Sequence, residues 1–257
     1  MTTLRARTAL LVGLVLVVTT ACGGDGGGDA AAPGAGSSAS TAPSSSPSSL
    51  VPSPVAPASA QTAAGKINLI AADLPGYTAT PADEKVAESD AAQAAADVCV
   101  GVSPAEPVAK FASDDFAKGA DLPSVQLATT VSFAAEAATT KADLAAFSSD
   151  KTTTCLATFA ADVSKTIGED SGITFGTPEV TKLTPAATGV DGAFGYSVST
   201  SATAQGKTFP FTIEILGAGK GRTRLTLTAI AVGGSVPAAE RDALFTTLVQ
   251  RTSANAL

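Results

Sequence analysis

From Val125 to Phe133 the apolar residues Val125, Leu127, Val131 and Phe133 alternate with Gln126, Ala128, Thr130 and Ser132. A period of two predicts a half-buried β-strand. The pattern returns at Phe194, Tyr196 and Val198, and again at Phe209, Phe211, Ile213 and Ile215. Leu225 and Leu227 followed by Ile230 and Val232 give a further strand, whose phase change near Ala229 predicts either a bulge or burial on both faces. Gly206-Lys207 and the run Gly217 to Gly221 supply turn chemistry between these strands, so residues 194–232 read as a three-stranded antiparallel meander. Pro210 cannot donate to a ladder and places its strand at an edge or makes it start late. A weaker strand precedes the meander, over residues 173–183.

The period lengthens elsewhere. Leu144, Phe147, Leu156, Phe159 and Val163 recur at helical spacing across residues 140–165, with a break at Ser148-Ser149-Asp150. Beyond Pro237, which suits a first helical turn, Leu244, Phe245, Leu248 and Val249 form one stripe while Glu240, Arg241 and Asp242 occupy the other side. An Ala-rich helix is expected from Ala87 to Cys99. Strands grouped together with helices outside them, without βαβ alternation, predict an α+β fold: an antiparallel sheet flanked by helices.

The N-terminus reads as an address. Arg5 and Arg7 precede an apolar run from Ala9 to Val18, too short to span a bilayer that needs about 20 residues. Thr19-Thr20-Ala21-Cys22 resembles the bacterial lipobox, in which small residues precede a Cys that is acylated and becomes the first residue after cleavage. The resemblance implies a signal peptide over residues 1–21, lipid on Cys22, and attachment to the outer face of the cell membrane. Each buried CH₂ of the acyl chains would contribute about 0.8 kcal/mol. Residues 22–65 are almost all Gly, Ala, Ser and Pro after the Cys, with Asp25 and Asp29 the only charges, and are expected to be a disordered tether. Residues 66–257 then form a single domain.

Composition removes several kinds of chemistry. The 257-residue chain has no His and no Trp. A Ser-His-Asp triad, a Cys-His dyad and a His-based zinc or haem site are therefore impossible. The formal net charge of −7 argues against a nucleic-acid binder, which would need a basic face to neutralise phosphates. Removing Arg5 and Arg7 with the signal leaves 14 basic and 23 acidic residues, a charge of −9. With Cys22 acylated, Cys99 and Cys155 remain, and an even pair outside the cytoplasm is expected to oxidise to a structural disulfide.

Ile67-Asn68-Leu69-Ile70-Ala71-Ala72-Asp73-Leu74-Pro75-Gly76-Tyr77 opens the domain. Together with a Cys near an Ala-rich helix, a helix carrying a second Cys, the meander and a last helix, it resembles the extracellular sensor domain of actinobacterial PknH-type kinases. The resemblance implies a sheet with flanking helices and a ligand cleft. This chain lacks the kinase domain and its membrane span, and can form one disulfide where the kinase sensor has two.

Three motifs match nothing fully. Gly217 to Gly221 lacks the earlier Gly and the following Ser or Thr of a phosphate-binding loop, because Glu214 and Gly221 stand there. Ser148 and Lys151 have S-x-x-K spacing without the Ser-Asp-Asn or Lys-Thr-Gly of penicillin-recognising enzymes. Asp114, Asp115 and Asp121 fit no calcium loop. No catalytic residue, metal ligand or cofactor is singled out. The expectation is a non-enzymatic, membrane-anchored, extracytoplasmic lipoprotein with a sensor-like, ligand-binding domain. A Phe-rich lining favours an apolar or lipidic guest. The alternative is a structural module docking a cell-envelope protein.

Overall fold

The computed structural model describes residues 55–82, 97–102 and 107–257. It confirms the α+β class. Among the described residues nine strands form one sheet: β1 (Thr78–Thr80), β2 (Ala109–Ala112), β3 (Asp115–Lys118), β4 (Ser124–Phe133), β5 (Thr174–Phe175), β6 (Glu179–Leu183), β7 (Gly192–Ala204), β8 (Lys207–Lys220) and β9 (Thr223–Val232). Among the described residues they are accompanied by the helices α1 (Pro57–Ile67), α2 (Ala137–Ser148), α3 (Lys151–Ser171) and α4 (Ala238–Asn255). The strands run in the order β1-β3-β4-β9-β8-β7-β5, with β2 also beside β4 and β6 also beside β7. Every pairing is antiparallel.

The expected meander is β7, β8 and β9. The expected strand over residues 173–183 divides into β5 and β6, which follow one another along β7. The break at Ser149-Asp150 separates α2 from α3. Of the helix expected from Ala87 to Cys99, residues 87–96 lie outside the described residues, and residues 97–100 are helical. Pro237 stands one position ahead of α4, at its cap.

Layering follows from strand alternation. On one face Leu127, Val131 and Phe133 of β4, Leu225, Leu227, Ala229 and Ala231 of β9, and Leu216 and Ala218 of β8 meet α1 and α4. Helix α4 contributes the predicted stripe of Leu244, Phe245, Leu248 and Val249. On the other face Leu144, Phe147 and Leu156 of α2 and α3 pack on Phe194, Tyr196 and Ile215. Ile173, Phe211, Ile230 and Val232 form a satellite cluster.

Three expectations change here, and at β9 one of two alternatives is decided. Residues 57–65, assigned to the tether, form most of α1, whose Ala60, Ala63, Ala64 and Ile67 are buried. Alanine is the best intrinsic helix former, and three of them at helical spacing make a thin face that lets α1 lie close to its neighbours. The domain therefore begins by Pro57. Strand β4 is buried on both sides, because Gln126, Ala128, Thr130 and Ser132 are buried as well as the apolar set. Gln126 Oε1 and Thr228 Oγ1, diagonal neighbours on that second face, have no hydrogen-bond partner among the described residues. Strand β9 has no bulge: its register with β4 is unbroken from Ser124↔Val232 to Phe133↔Thr223, so the phase change reflects two-sided burial. Pro210 lies in an interior strand, one residue beyond the last β8–β9 pair, Phe211↔Val232. There its carbonyl accepts from Gly233 N at 2.8 Å, and with no N–H to return that bond the β8–β9 ladder goes no further.

Gly217 and Gly219 also leave the predicted turn and lie within β8. The turn is tighter and centres on Gly221, whose φ is +57°. The two glycines serve packing. A Cβ on Gly217 would stand 2.2 Å from Cζ of Phe194, its cross-strand partner, and one on Gly219 would stand 2.9 Å from Leu144 Cδ1. Phe194 cannot easily retreat, since it stacks on Phe147 at 4.5 Å between ring centres. We expect Gly217→Ala to lower stability by about 1 to 3 kcal/mol through overpacking, read as a lower urea midpoint with an unchanged slope.

Candidate cleft beside Tyr77

The segment following α1 is strapped down at several points. Asn68 Oδ1 accepts from Thr129 Oγ1 at 3.0 Å, and Leu69 N donates to the same hydroxyl oxygen at 3.0 Å. Thr129 belongs to β4, so the sheet fixes the entry of the segment. A short 3-10 turn over Ala71–Asp73 follows, with Ile70 N donating to Asp73 Oδ2 at 3.0 Å. Leu74-Pro75-Gly76-Tyr77 is then a tight turn, closed by Tyr77 N donating to Leu74 O at 3.1 Å. Gly76 has φ +86°, the left-handed value that the third residue of a type II turn requires after Pro.

This turn delivers Tyr77 to the start of β1. Thr78 pairs with Ala117, so one residue beyond the ladder Tyr77 stands opposite Lys118 of β3. Lys118 Nζ lies over the Tyr77 ring, 5.3 Å from its centre. At the other end of the ring the hydroxyl donates to Glu240 Oε1 of α4 at 3.0 Å. Asp73 is clamped from α4 by Arg251, through Nη1 to Oδ2 at 2.7 Å and Nη2 to Oδ1 at 2.6 Å. The guanidinium holds the Asp73 carboxyl below the usual carboxylate range against the opposing effect of burial.

Between these elements lies an open cleft of about 470 Å³. Leu74, Pro75, Ala243 and Leu244 give it apolar walls, and Tyr77, Lys118 and Glu240 give it polar ones. No Phe lines it, and its walls are partly charged, unlike the Phe-rich lining that the sequence leads one to expect. Asp73 is neutralised by Arg251. Lys118 takes part in none of the ion pairs found among the described residues.

Burial first, and the bond to Glu240 second, push the Tyr77 hydroxyl up to about 12. Burial also raises Tyr196, whose hydroxyl donates to Phe147 O. The chain has no Trp and only these two Tyr. Alkaline titration of tyrosinate absorbance should thus show no group ionising at the ordinary value of 10. Glu240→Gln should bring the Tyr77 step down while leaving that of Tyr196 in place.

Cys99 and Cys155 are joined, as expected, linking the helical turn at 97–100 to α3 with Cα atoms 5.8 Å apart. Cys22 lies outside the described residues. Ser148 ends α2 and Lys151 begins α3, so the S-x-x-K pair does not share one helix face, and Ser148 Oγ donates to Leu144 O at 2.8 Å. Asp115 begins β3, with Asp114 just before it and Asp121 in the following loop. No described helix is long and apolar enough to cross a membrane.

Sequence reasoning singled out residues 67–77 and missed their partners. Glu240 and Arg241 read as solvent-facing residues of α4, yet Glu240 accepts from Tyr77 and Arg241 Nη1 donates to the buried Glu214 at 2.7 Å. Arg251 carried no signal, because Asp73 is 178 positions away along the chain. The chain matches no protein-family model, no curated protein and no solved structure.

Proposed function

We propose that the protein is an extracytoplasmic lipoprotein, held on the membrane by acylated Cys22, whose domain is a non-enzymatic, sensor-like ligand-binding module. The cleft beside Tyr77 is its binding site. One observation carries this reading: Lys118 and Glu240 both line an open cleft of about 470 Å³ that Leu74, Pro75, Ala243 and Leu244 line as well, and among the described residues Lys118 takes part in no ion pair. Buried or clamped pairs elsewhere, such as Arg241 with Glu214, hold elements together; Lys118 holds none. Small-molecule sites combine such apolar walls with a few convergent polar groups. The absence of His removes the commonest general acid and base.

The charged walls favour a small amphipathic ligand over the lipidic guest that composition favours. Two measurements test the reading. Palmitate labelling of cells should mark the chain and be abolished by Cys22→Ala; label that persists in the variant sinks the anchor. Native mass spectrometry of the chain extracted in mild detergent should show a bound small molecule that Lys118→Met removes. A bare mass under several growth conditions, with an envelope protein co-purifying, would replace ligand binding by docking.

A further inference from the structure

We draw no further inference here: the strongest candidate, the polar patch of Gln126 and Thr228 on the second face of β4 and β9, carries nothing, because both of its unpartnered oxygens are fully enclosed and nothing among the described residues shows what covers that stretch of the sheet.

Discussion

Replacing Cys99 and Cys155 together by Ala, or reducing the bridge, should lower the unfolding free energy by about 4 kcal/mol. The partners are 56 positions apart, and a closed loop of that length removes much of the freedom of the unfolded chain. The bridge also ties α3 to the helical turn at residues 97–100. Cys155 is buried, so the replacement leaves a small void there in addition to the lost cross-link. Urea unfolding of the oxidised and reduced chain, compared with the double variant, gives the measurement. A midpoint that does not move on reduction would mean that the unfolded chain is already as compact without the bridge.

The second large effect belongs to the Asp73–Arg251 clamp. Arg251→Met should cost about 3 kcal/mol, because it leaves the Asp73 carboxylate, whose side chain is 11% exposed, without its bidentate partner. Asp73→Asn should cost less, since the amide introduces no uncompensated negative charge. Arg251 also reaches Asn68 O at 3.3 Å, so its loss removes bonds to both Asn68 and Asp73 in the segment that leads to Tyr77. Binding at the cleft, as proposed, is expected to weaken with it. The acid limb follows the same pair. The folded Asp73 has its pKa below the ordinary 3.8. Its contribution is fully present above that value and is lost as pH falls through the lower, folded one. Urea midpoints across this range should drop in the parent chain and drop less in Asp73→Asn. Equal acid sensitivity of the two chains would assign the loss to other carboxylates.

Much of the sheet was legible because its strands carry their period openly. The stripe of Leu244, Phe245, Leu248 and Val249 likewise announced α4 and its buried side. Misreadings fell where a residue's role depends on what lies across from it. Gly217 looks like turn chemistry until Phe194 is seen lying over it. Pro210 looks like an edge until β9 is seen to end one residue short of it. The alanines of α1 look like tether because composition alone cannot tell a flexible Ala/Ser/Pro run from a thin helix face, and only the neighbouring surfaces make Ala60 and Ala64 core residues.

The candidate cleft divides in the same way. The sequence by itself marked Cys99 and Cys155 as a pair expected to oxidise, and they are joined. It also determined the class of fold, because periods of 2 and 3.6 are local properties of the chain. Only the tertiary structure decided that Lys118 faces Tyr77 across a strand pair and that Glu240 and Arg251, from the far end of the chain, meet Tyr77 and Asp73. Such meetings depend on strand order and helix placement. Those are set by how the whole apolar surface is buried, and no local pattern encodes which surface charge will stand beside which.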